Sequence, residues 1–244
     1  MRTSSNYRAL IALALFAAPA FASVTVSGTG SGFGSSGPKA AEVSFDVDGL
    51  TLVVTLTNTG PSDVLVPADV LTAVMFDVSG AALSLTRDSG LLYGGSTVYY
   101  DADGQPAGGV IGGEWAYKSG LSGIPNNAHY GISSTGLSLF GPGDLFPGPD
   151  LEPPSSPDGP QYGLLSAADD TGTGNGGITG SGGLIKNSVQ FRLSGLPSGF
   201  DLNRINNVFF LYGTAIGEGG FTPEPASLSL LALGGLVALR RNRR

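Results

Sequence analysis

The chain has 244 residues, 40 of them glycine and 16 proline, with no cysteine and a formal net charge of −7. Without thiols it has no disulfide staples, thiolate catalysis or cysteine zinc sites, so cohesion must come from burial and backbone pairing. Between Ser23 and Phe221 stand 6 Lys and Arg against 18 Asp and Glu, a net of −12, which argues against phosphate-led nucleic-acid binding, because that needs clustered cations.

At the N-terminus, Arg2 and Arg8 form a positive region, Ala9 to Ala18 an apolar one, and Ala20-Phe21-Ala22 offers the small residues that signal peptidase accepts. The pattern predicts a signal peptide over residues 1–22 with cleavage between Ala22 and Ser23. Gly28-Thr29-Gly30-Ser31-Gly32 imitates a phosphate loop but lacks the Lys-Ser/Thr ending and the following helix. It reads as a flexible start to the mature chain.

The clearest local element is a hairpin. Val43, Phe45 and Val47 alternate with polar residues, Asp48-Gly49 follows, and Leu50, Leu52, Val54 and Leu56 alternate again. A turn on Asp48-Gly49 predicts Val47 opposite Leu50, Phe45 opposite Leu52 and Val43 opposite Val54, with the apolar set on one face. Further strands are expected over Val70 to Val78, Ala81 to Thr86, Ser96 to Asp101, Glu114 to Lys118 and Leu137 to Phe140. Two more are carried by Val189, Phe191 and Leu193, and by Val208, Phe210 and Tyr212. Gly141 to Pro160 holds seven prolines and reads as a long exposed loop, and the glycine-rich stretch from Asp169 to Gly183 as a mobile one. Eight or more short strands separated by turn signals predict an all-β domain over 23–221, a β-sandwich with jelly-roll wiring as one option.

The chain ends in Pro223-Glu224-Pro225, an uncharged run from Ala226 to Leu239, and Arg240-Arg241-Asn242-Arg243-Arg244. Proline on either side of Glu224 holds the backbone extended. As a helix the apolar run is about 21 Å long against a hydrocarbon core of roughly 30 Å, short for a permanent anchor unless arginines snorkel at its end. Basic residues stay on the cytoplasmic side, so Arg2 and Arg8 at one end and Arg240 to Arg244 at the other leave everything between them outside.

This ending closely resembles the PEP-CTERM sorting signal of exported bacterial proteins. Pro223, Glu224 and Pro225 match the tripeptide, Ala226 to Leu239 the transmembrane helix, and Arg240, Arg241, Arg243 and Arg244 the basic tail. The resemblance implies a sorting segment over 222–244 and removal of the tail by a membrane protease, an exosortase. It also implies a route through the inner membrane to the surface of a Gram-negative-type cell, and a matrix or extracellular polysaccharide partner.

Catalytic signals are sparse. His129 is the lone histidine, which leaves no multi-histidine metal site, and no serine stands in a Gly-x-Ser-x-Gly elbow. Asp101-Ala102-Asp103-Gly104 presents two carboxylates on alternate residues before a turn glycine, a candidate Ca²⁺ site set against an ordinary β-turn. Asp169-Asp170 beside Gly172 and Gly174 is a weaker one. Trp115 with Tyr117, and Tyr99 with Tyr100, are candidate sugar-stacking platforms set against plain core residues. These features support three readings: a surface structural or interaction protein without an evident catalytic site, a Ca²⁺-assisted carbohydrate-binding module using Asp101, Asp103, Trp115 and Tyr117, and an extracellular hydrolase with paired carboxylates.

Overall fold

The computed structural model describes residues 23–223 apart from 32–33, 35–36, 102–104, 174–177 and 179–181. The described chain is all-β, with short 3-10 turns between strands. In order these are β1 (Ser23–Gly30), β2 (Lys39–Asp48), β3 (Thr51–Asn58), β4 (Leu71–Val78), β5 (Thr86–Tyr99), β6 (Ala116–Ser119), β7 (Tyr130–Ser133), β8 (Leu164–Leu165), β9 (Leu184–Ser194), β10 (Ile205–Tyr212) and β11 (Gly220–Phe221).

They form one mixed sheet in the order β1-β2-β3-β9-β8-β4-β10-β11, with β5 also paired to β9 and β7 linking β4 to β6. The sheet doubles over. Phe45 of β2 meets Phe76 of β4 edge-on at 5.2 Å, and the Tyr212 hydroxyl of β10 donates to the Ala40 carbonyl of β2 at 2.9 Å. Between the two halves lies the main core, built from Val43, Phe45, Leu52, Val54, Val74, Phe76, Phe191 and Phe210 among others. Where the sequence predicts two layers, β8 joins them into one hydrogen-bonded sheet, running parallel to β9 and antiparallel to β4.

The apolar alternation of β2 does what period-two patterning requires. Ala41, Val43 and Phe45 are fully buried while their neighbours stay half-exposed. β4 is covered on both faces. Val74, Phe76 and Val78 enter the main core, whereas Ala73 and Met75 join Phe209, Leu211, Leu121 and Phe140 in a second cluster.

The hairpin register differs from the expected one by two residues. Val47 pairs with Leu52, Phe45 with Val54 and Val43 with Leu56. Asp48 pairs with Thr51, so the turn lies on Gly49-Leu50. Gly49 takes φ 63 and Leu50 does not enter positive φ, the pattern of a II′ turn with glycine first. A two-residue slip keeps the strand side chains on their faces, which is why the core set other than Leu50 stayed right while the partners changed. Leu50 is expelled and 56% exposed. Leu50→Lys should therefore shift stability by no more than about 0.5 kcal/mol, whereas Leu52→Ala should cost about 2–5 kcal/mol, both read from urea unfolding midpoints.

Other expectations are corrected. Of the stretch expected to be flexible, Gly28 to Gly30 instead end a strand, β1, that pairs along its whole length with β2, its Val24 and Val26 packed against the core, and Gly32 lies outside the described residues. Ala81 to Leu85 is irregular and the strand begins at Thr86, although Leu83 is still buried. Leu137 and Ser138 take left-handed φ of 49 and 59, which ends any strand there. Gly141 to Pro160 is a loop exposed over much of its length, but it is anchored by Phe146, which is buried in the main core.

Candidate functional site

β11 is two residues long and pairs Phe221 with Phe210 and Gly220 with Leu211. The Tyr212 N–H donates to the Gly219 carbonyl at 2.8 Å, so residues 219 and 221 occupy hydrogen-bonded positions opposite β10. Continued in register, the next such position is Pro223, which has no N–H to give. Phe221 packs over Gly28 and Gly30 of β1, and Pro223 over Gly28, while the Asn126 side-chain amide donates to the Thr222 hydroxyl at 2.6 Å. Beside this junction an open groove of about 580 Å³ runs between β1 and β10, lined by Val26, Asn126, Ile205, Val208, Thr222 and Pro223 among others. The body thus delivers Pro223 at its surface, beside its first strand. Of the sorting residues, Glu224, Pro225, Arg240, Arg241, Arg243 and Arg244 lie outside the described residues, as do Ala20 and Ala22 at the expected cleavage site. Ser23 opens β1.

Of the aromatic candidates, Trp115 and Tyr117 serve the interior, while Tyr99 and Tyr100 are half-buried. Trp115 is fully buried and Tyr117 is 5% exposed. The indole N–H donates to the Tyr162 carbonyl at 3.0 Å, and the ring tilts against Phe191 at 5.1 Å. Neither ring has a free face to stack on a sugar, which corrects the expectation of a surface platform. The cause is the proline-rich segment folded across them. A 3-10 turn at Gly112–Glu114 brings its backbone so close to that segment that a Cβ on Gly113 would lie 1.8 Å from the Pro149 carbonyl oxygen. The Phe146 N–H donates to the Trp115 carbonyl at 2.8 Å. Glu114 completes the strap, since its Oε1 accepts from the Leu151 N–H at 2.7 Å and the Glu152 N–H at 3.1 Å. Burial pushes the Glu114 carboxyl up to about 7, against the pull of those two N–H groups.

Asp101 follows β5 and accepts the Tyr162 hydroxyl at 2.9 Å, and Asp103 lies outside the described residues. Among the described residues no three His, Cys, Asp or Glu side chains converge as a metal cluster. His129 Nδ1 faces Asp77 at 3.2 Å with its ring more than half exposed, the placement of a surface residue. Sequence reasoning missed Glu114 altogether. Its partners lie 37 and 38 residues away and no local pattern announces them.

Fold and junction together define an all-β body whose last short strand runs directly into a sorting segment. Residues 221–244 match the PEP-CTERM protein-sorting motif, so the chain carries the signal of an exported, exosortase-sorted protein that passes through a membrane-anchored sorting intermediate. Among solved structures, the KRT10-binding region domain of the pneumococcal serine-rich repeat protein PsrP is similar at 14% identity and a TM-score of 0.27, over 84% of this chain and 100% of that one. No curated protein matches the chain.

Proposed function

We propose that this is a surface or extracellular-matrix-associated structural or interaction protein, made with a signal peptide at 1–22 and cut by exosortase within 222–244. Its body at 23–221 works as a folded β-sandwich displayed outside the cell, with extracellular polysaccharide as the partner class. The observation that carries this reading is the sorting motif joined without a linker to a packed body in which the Trp115 indole is bonded to the Tyr162 carbonyl and Glu114 to the Leu151 and Glu152 backbone. Interiors built this way hold a shape, and the −12 charge of the body keeps it soluble outside the cell.

Fractionation of native cells with mass spectrometry of the mature termini tests it. The expected product begins at Ser23, lacks Arg240 to Arg244 and sits in the surface or extracellular fraction. In a Glu224→Ala variant the uncut chain should build up in the inner membrane. Recovery of the intact 244-residue chain from the cytosol would sink the proposal.

A further inference from the structure

We propose that Asp63 and Asp169 form a calcium site that ties the segment after β3 to the segment after β8. Asp169 is 3% exposed. Its Oδ1 accepts the Val64 N–H at 2.7 Å, but its Oδ2 is buried and receives no hydrogen bond. The Asp63 carboxylate lies within hydrogen-bonding reach of the Asp169 carboxylate. Two carboxylates face each other there with no donor between them, an arrangement that repels unless a cation or a proton stands between.

The surroundings favour a cation of charge two. Asp63 is fixed by the Asp170 N–H and the Thr173 hydroxyl, each at 3.0 Å, so it cannot swing away without breaking both. The Lys186 ammonium is turned to the Asp169 backbone carbonyl at 2.5 Å and neutralises one of the three negative charges of Asp63, Asp169 and Asp170, leaving a net of −2. The donors are hard oxygens, which suit Ca²⁺ with its tolerance for irregular coordination better than Mg²⁺ with its strict octahedron. Two carboxylates fall short of a full ligand set, so carbonyls or water must complete it. Affinity is then expected near the Kd of about 10⁻⁴ to 10⁻³ M typical of extracellular modules. Such a site is empty in the cytosol and filled once the chain is outside.

The shared proton is the rival occupant. The two occupants separate in one experiment on the full-length chain in neutral detergent after chelator treatment. At pH 7.5, saturating Ca²⁺ should raise Tm by roughly 3–5 °C, and both Asp63→Asn and Asp169→Asn should abolish the shift. Asp63 is half-exposed, so its variant tests the site even if the buried Asp169 variant folds poorly. Tb³⁺ provides an independent probe. The Tyr100 hydroxyl donates to the Thr171 carbonyl at 3.3 Å beside the pair, so Tb³⁺ emission excited through tyrosine should be strong in the native chain and fall severalfold in Tyr100→Phe, whose Ca²⁺ shift persists. The proposal is overturned if Ca²⁺ leaves Tm unmoved, if Asp63→Asn keeps the shift, or if acidification to pH 5 alone stabilises the native chain while Ca²⁺ does nothing.

Discussion

Exchanging Glu114 for glutamine should make the protein more stable than the native chain above pH 7, by up to about 3 kcal/mol, and leave it unchanged near pH 4. The native carboxyl titrates at about 7 when folded and near 4.5 when unfolded. Between those values the folded state holds the proton that the unfolded state has lost, so stability is full below pH 4.5 and is lost as pH rises through 7. Glutamine keeps the side-chain oxygen for the Leu151 and Glu152 N–H groups and never acquires the charge. Glu114→Ala behaves differently, because it strands both N–H groups under the strap at about 1–3 kcal/mol each. It should therefore destabilise most at low pH, where the native residue is neutral. Urea unfolding of the three proteins from pH 4 to 8 reads these curves, and parallel native and glutamine curves would show that Glu114 is not the titrating group.

The second large effect is expected at Phe191. Its ring lies 5.1 Å from Trp115 and 5.0 Å from Phe146, at the meeting point of β9, the start of β6 and the proline-rich strap. Phe191→Ala removes a fully buried ring and should cost about 3–5 kcal/mol. Trp115 is the single tryptophan, so fluorescence reports on this spot alone, and its emission should shift to the red as the strap loosens. Tyr93, on the neighbouring β5 but 46% exposed, should tolerate alanine within about 0.5 kcal/mol. Equal losses at the two positions would mean that the core does not close on Phe191.

What could be read from the chain and what could not divide along physical lines. Alternation in Val43-Phe45-Val47 and in Val189-Phe191-Leu193 placed the core faces correctly, because period two is a local property of the backbone. The pairing partner across Gly49-Leu50 was misjudged by two residues, since a II′ turn with glycine first and a turn on Asp48-Gly49 preserve the same face. β1 was hidden because Ser-Val-Thr-Val-Ser-Gly-Thr-Gly has small side chains, and its two valines become partly buried only against a sheet that folds over them. β5 was fragmented by Gly94 and Gly95, whose φ values of 63 and 77 mark the interruption between Tyr93 and Thr97 in its pairing with β9. The proline-rich segment looked too polar to pack, yet Gly112 and Gly113 let its carbonyls come close. The sorting segment was legible because all three of its parts are consecutive. By contrast, Asp63 and Asp169 are 106 residues apart, and only the fold brings them together.

The missing N–H of Pro223 acts as a stop on a zipper. β11 can bind β10 through Phe221, but the next rung has no donor, so the ladder cannot creep along the open margin of Ile205 to Phe209. A sheet that could recruit its own tail would hide the start of the sorting motif inside a stable pairing. By ending where it does, the ladder closes at Phe221, and folding can finish with Thr222 and Pro223 outside it.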